Sequence, residues 1–178
     1  LAQFKALGTD LLAISIYEKK PSSVQSPANT FSLGDLKKLQ ATIPAISGAA
    51  PYITLYSPMS YAGHDLNATV VGATATLQHA VKIQVDTGRF ISFMDKAASF
   101  CILGSSLAAK VKALSPNPII GSQIRIGDYI FTIIGTLAPW TESSFFNADL
   151  NTAVIVPIQA AMVISRYAKI TNIVLQLR

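Results

Sequence analysis

The sequence predicts an α+β fold, and three observations carry that prediction. Short β-branched apolar runs recur along the chain, at residues 11–17, 46–56, 99–103, 130–137, 152–156 and 173–177. Helical periodicity is confined to a few stretches between them. A chain of 178 residues that is 51% hydrophobic and only 13% charged encloses a real core, whereas disorder needs the opposite balance.

Taken in order, residues 11–17 read as a strand, and residues 18–30, rich in Pro, Ser, Lys and Asn, read as a loop. A helix is predicted over residues 33–42. Ser32 is its N-cap, Asp35 completes a capping box, and Phe31 and Leu36 form a hydrophobic staple. Leu36 and Leu39 turn to the core, Lys37 and Lys38 to water, and Pro44 closes the helix. Strands follow at 46–56 and 66–71, with the hydrophilic stretch 60–65 as the turn between them. Residues 76–81 form a short helical turn that leads to an extended segment ending in Gly88-Arg89-Phe90.

Residues 99–103 form a buried strand, and Gly104-Ser105 opens a helix whose Leu107, Val111 and Leu114 share one face; Ser105 reads as its N-cap. Residues 124–130 are the clearest hairpin, because Gly127-Asp128 suits a two-residue turn with positive φ. The return strand runs through 137, and the loop 138–151 carries Trp140, Phe145 and Phe146. A strand at 152–156 precedes Pro157, placed in the first turn of a helix to about residue 167, and a strand at 173–177 follows. The total is about nine strands and three helices.

The net charge of +5 reflects scarce acids rather than a basic stripe, since the densest basic pairs are Lys19-Lys20 and Lys37-Lys38. Nucleic acid is therefore not an expected partner, while a weak preference for acidic partners or anionic lipid headgroups remains. No stretch reads as a membrane span: residues 41–63 are uncharged but broken by Pro44, Pro51 and Pro58, and residues 150–165 are short and contain Pro157. The chain opens on Leu1 without a methionine, so we expect a fragment whose membrane segments lie outside it.

Chemistry-bearing motifs are sparse. His64 and His79 lie 15 residues apart without metal-ligand spacing, and Glu18 and Glu142 are the only glutamates. Cys101 sits in the run Phe100-Cys101-Ile102-Leu103 and reads as a small buried apolar residue. Gly104-Ser105-Ser106 lacks the second glycine of a nucleophile elbow, and Gly121-Ser122-Gln123 lacks the ending of a phosphate loop. The triplet Asn67-Ala68-Thr69 carries no weight. No catalytic, metal or cofactor residue is assigned. Trp140, Phe145 and Phe146 are the candidate partner contacts, weighed against a local role as core plugs.

The order of segments resembles the periplasmic core domain of MacB-type ABC-transporter permeases. Residues 6–12 are similar to the run by which that family enters the domain, with Asp10 where the family usually has Asn. Ala49-Ala50-Pro51, Val70-Val71-Gly72 and Val154-Ile155-Val156-Pro157 resemble its strand ends. Thr87-Gly88-Arg89-Phe90 resembles its Gly-Arg-x-Phe signature, and Asp95 the acid that follows. Residues 101–104, with Leu107-Ala108, and residues 119–127 and 131–137 resemble its glycine-punctuated strands. The motifs are individually weak; their joint order over almost the whole chain is specific.

The resemblance implies two lobes: a porter-like α/β subdomain from residues 1–58 and 150–178, truncated at its C-terminus, and an inserted β-rich sabre-like subdomain at 59–149. It implies a non-catalytic domain on the periplasmic or extracellular side of a bacterial inner membrane, with no cofactor. An ABC ATPase domain or subunit would drive it through membrane segments. Other partners implied are a second permease copy, a periplasmic adaptor or a lipoprotein cargo. Two alternatives stay open on the residues alone: a free-standing small enzyme or ligand-binding protein, and an assembly domain that oligomerises through exposed aromatics.

Overall fold

The computed structural model describes residues 2–6, 11–16, 33–141, 149–165, 170 and 172–177. Among them are twelve strands and four helices. The strands are β1 (Ala2–Ala6), β2 (Leu11–Ile16), β3 (Ile46–Tyr56), β4 (Met59–Tyr61), β5 (His64–Leu66), β6 (Thr69–Ala73), β7 (Val85–Gly88), β8 (Phe100–Leu103), β9 (Gln123–Ile126), β10 (Tyr129–Leu137), β11 (Ala153–Pro157) and β12 (Asn172–Leu177). The helices are α1 (Leu33–Thr42), α2 (Ala75–Ala80), α3 (Ser105–Leu114) and α4 (Ile158–Ile164). The mixed α+β class is as predicted.

All the strands belong to one mixed sheet, in the order β1-β2-β12-β3-β6-β11-β8-β10-β9-β4-β5, with β7 beside the far half of β10. Most neighbours are antiparallel; β6 with β11 and β8 with β10 are the parallel pairs. β6 is hydrogen-bonded between β3 and β11, so the sheet runs without a break across residues 58/59 and 149/150.

Side chains that alternate along these strands divide the core between two faces. Val71, Ala73, Ile102 and Ile155 pack under α2 and residues 81–91, together with Leu77, Ala80 and Phe90. Their neighbours Val70, Cys101, Leu103, Val154 and Val156 pack under α3 and α4, through Leu107, Val111, Ala160 and Ala161. On that same face α1 lays Leu36 over Ile46, Ala49, Ile53 and Ile173. Three helices thus cover one face and α2 with its loop covers part of the other. The central strands, covered on both sides, read as continuous apolar runs, which is why β8 and β11 stand out in the sequence. Away from the centre β9 alternates exposed Gln123 and Arg125 with buried Ile124 and Ile126.

Several local expectations are corrected. Residues 60–65 are not a plain turn. Met59–Tyr61 pairs with His64–Leu66 as a hairpin, and Ala62 (φ 50°) with Gly63 (φ 81°) forms the tight connection. In the second hairpin only Gly127 has positive φ, at 60°; Asp128 does not. Gly104, not Ser105, is the N-cap of α3, and the Ser105 hydroxyl donates to Asn151 Oδ1 at 3.0 Å. Pro157 ends β11 and caps α4 from outside, and α4 stops at Ile164 because Ser165 is extended. The predicted cap Ser32, its staple partner Phe31 and the end of the last predicted helix lie outside the described residues.

Candidate functional site

The most organised surface feature is an arch over residues 88–96. β7 ends at Gly88, whose φ of 74° turns the chain against β10. A Cβ on Gly88 would stand 2.1 Å from Ile134 O, and one on Gly135 2.3 Å from Arg89 O, so the two backbones touch where only glycines fit. The turn fixes Arg89, whose N–H donates to Ile134 O at 3.1 Å. Its guanidinium grips Asp95 through two bonds of 2.9 Å, donates to Phe90 O at 3.1 Å and lies over the Phe100 ring at 5.6 Å. Asp95 also accepts Ser92 N–H at 2.8 Å, while the Ser92 hydroxyl accepts Met94 N–H, a capping box on the single 3-10 turn Phe93–Asp95.

The bond from Arg89 holds the Asp95 carboxyl below the usual carboxylate range, against the opposing effect of partial desolvation. Arg89 is pushed further up by the same contact. The pair ties both feet of the arch and leaves its crest bare: Phe93 is 74% exposed and Met94 86% exposed. Two neighbouring large apolar side chains held in solvent on a braced turn are suited to contact with another surface. Sequence reasoning singled out Gly88, Arg89, Phe90 and Asp95 but not the crest. The readable signal was Ser92 followed three residues on by Asp95 around Phe93-Met94, a cap without a long helix behind it.

Trp140, singled out from the sequence, is only partly buried and packs against the α2 face. Its indole N–H donates to Val81 O at 3.3 Å. Asn151 holds its backbone at both ends, accepting the Trp140 N–H at 2.7 Å and donating to Trp140 O at 2.8 Å. The loop is thereby stapled to the start of β11. Phe145 and Phe146 lie outside the described residues.

The remaining chemistry-bearing residues are not brought together. His64 lies on β5 and His79 on α2, both exposed. Cys101 is fully buried, and burial pushes its thiol far up, so it is a packing residue and not a nucleophile. Among the described residues no group of three His, Cys, Asp or Glu side chains is placed to hold a metal ion. No helix is long and apolar enough to cross a membrane.

The sequence model of the family described as MacB-like periplasmic core domain matches residues 1–178. A search of curated proteins found no match. Among solved structures, the periplasmic region of MacB from Actinobacillus actinomycetemcomitans superposes with a TM-score of 0.74 at 13% identity, over 96% of this chain and 75% of that one. The extracellular domain of the noncanonic ABC-type transporter YknZ from Gram-positive bacteria superposes with a TM-score of 0.68 at 17% identity, over 95% of this chain and 82% of that one.

Proposed function

The chain belongs to the MacB-like periplasmic core domain family, extracytoplasmic domains of ABC-type transporter permeases, and from that premise we propose that it relays motion driven by ATP outside the membrane and contacts cargo or a partner there. The single observation that carries this reading is the family match over the whole chain, joined to a sheet whose two ends carry different helices.

In this reading ATP is hydrolysed in a separate domain or subunit and the present domain is non-catalytic. The porter-like lobe, 1–58 with 150–178, and the sabre-like lobe, 59–149, shift relative to one another as a bistable pair. α1 with β2, β12 and β3 packs one cluster around Ile53 and Ile173, and α3 with β8, β9 and β10 packs another around Leu103 and Ile124 that also takes in β11 and α4; a third, around Tyr52 and Val71, joins residues of both proposed lobes, so the relay we propose acts through one continuous sheet. The arch at Phe93-Met94 and the loop of Trp140, Phe145 and Phe146 are the proposed contact surfaces. A second permease copy, an adaptor or a lipoprotein cargo is the class of partner such surfaces would meet. Coupling requires that the partner bind the two arrangements unequally.

The test uses the full-length permease with its ATPase. Cysteines placed at exposed Lys38 and Lys110 carry spin labels, other reactive cysteines of the permease being replaced, and within this domain Cys101 is buried and takes no label. Distance distributions are compared between nucleotide-free and ATP-trapped states. A shift between the states is expected; superimposable distributions would remove the relay from the proposal while leaving the family membership untouched.

A further inference from the structure

We propose that the crevice at the carboxyl ends of β6 and β11 binds a single-chain anionic amphiphile, with its head between Lys37 and Lys96 and its chain along Leu36, Ile91, Phe93 and Ile158. The inference stands on the geometry of this chain and does not need the relay to hold.

The first ground is topology. β6 and β11 are adjacent and parallel. The chain leaves β6 into α2 on one face and leaves β11 into α4 on the other. Diverging connections of this kind open a crevice beyond the strand ends, which is where sheets of this type take ligands. Ala73, Thr74 and Pro157 form its floor, α1 one wall and the arch the other.

The second ground is size and lining. The cavity holds about 530 Å³, within the range of small-molecule sites and too small for a folded partner. Its walls are largely apolar. Among the described residues its charged members are Lys37 and Lys96, neither of which makes an ion pair, and no carboxylate lines it. The nearby acid of the arch, Asp95, is spent on Arg89. An apolar trough with two unpaired ammonium groups and no acid complements a chain bearing a carboxylate or phosphate, and repels a cationic one.

The third ground is an unmet hydrogen bond. The Thr74 hydroxyl, in a residue that lines the crevice, is buried with no partner among the described residues. A buried donor of this kind is rare in native proteins, and because its oxygen is closed to solvent a head-group oxygen satisfies it only with a small shift of the crevice floor. The arch also acquires a purpose here. It presents Phe93 to the crevice and holds Lys96 at φ 50°, a conformation that the Arg89–Asp95 clamp on the preceding residues supports.

Titration calorimetry of the chain below the micellar concentration tests the proposal. Dodecanoate and dodecyl phosphate are expected to bind one to one. Dodecyltrimethylammonium, dodecyl maltoside and inorganic phosphate should bind at least about tenfold more weakly, because each lacks the charge or the chain. Exchanging both rim lysines, K37E with K96E, should remove about tenfold in affinity for the anions. The exposed neighbour Lys38, which does not line the crevice, serves as the K38E control and should change nothing. All three side chains are exposed, so folding is retained and is checked by circular dichroism. Equal binding of the cationic or neutral chain, or an unchanged affinity in K37E/K96E, overturns the proposal. So does binding only to anionic vesicles or to an alternating Leu-Glu peptide with no monomeric dodecanoate bound, since the site would then read a membrane or a protein segment.

Discussion

The middle of the sheet and its β9–β4–β5 wing are built by different rules. β11 is buried at all five positions, and β6 and β8 nearly so, because helices or loops cover both faces. β9 buries every second residue and shows the rest to water. In the middle each residue is fixed by volume; in the wing, register is fixed by alternation and by the turns that join the strands. The difference teaches where this fold tolerates change, and each part of it can be tested.

The largest effect is expected where backbones are closest. Gly104 follows β8 and caps α3, and a Cβ there would lie 1.9 Å from Leu150 O and 2.6 Å from Asn151 O. Because those neighbours are backbone, Gly104→Ala should cost more than about 3 kcal/mol, and urea denaturation would show it. The matched change in the wing is Gly121→Ala. Gly121 has φ 89° but nothing within 4 Å of the added methyl, so only the backbone strain of about 1 kcal/mol is expected. Equal costs would break the comparison.

Next comes Ile155→Ala, in a strand paired on both sides to Val71 and Ile102. It should cost about 2–5 kcal/mol in the same assay, because the surrounding strands cannot collapse into the space.

The arch follows a third rule, in which a charge pair does the bracing. Asp95 titrates low in the folded chain, so its ionised form stabilises the fold above its unfolded value near 4, and that contribution fades as pH falls through the depressed folded value. Asp95→Asn should cost about 1 kcal/mol at pH 7; the figure is modest because the Arg89 side chain is 48% exposed and solvent screens the pair. The gap between variant and parent should close below about pH 4. Stability curves that stay parallel down to pH 2 would assign the loss to packing rather than charge. The smallest effect belongs to Ile130→Ala at the start of β10, beside the wing, where half of the residue is already in water; less than about 0.5 kcal/mol is expected from thermal unfolding.

The same division explains what could be read from the sequence. β8, β11 and β12 are apolar runs with clear ends, and α3 shows its face through Leu107 and Val111, so these elements were evident. β7, Val-Asp-Thr-Gly, is mostly polar and exposed; it is a strand only because Thr87 and Gly88 lie against Thr136 and Gly135 of β10. β1 was missed, and β4 and β5 were taken for a turn, because strands of three residues are too short to show an alternation of their own and are held by the neighbouring β9. At the candidate surfaces, Arg89 and Asp95 were visible as parts of a segment, but not their bidentate grip or the bare crest between them. The crevice was invisible for a more general reason. Lys37, Thr74, Lys96 and Ile158 come from four separate stretches of chain, and only the sheet brings them to one place.

β12 lies between β2 and β3 and bonds to both, yet β4 through β11 separate it from β3 in the chain. During synthesis, therefore, β3 must wait with one edge unfilled until β4 through β11 have emerged. A polypeptide delivered stepwise through a narrow conduit would pass through a stage in which that open edge invites pairing with foreign strands. Assembly around β3 is thus governed by a strand that arrives long after it, and damage to β12 should reveal itself first as aggregation of newly made chains rather than as altered behaviour of finished ones.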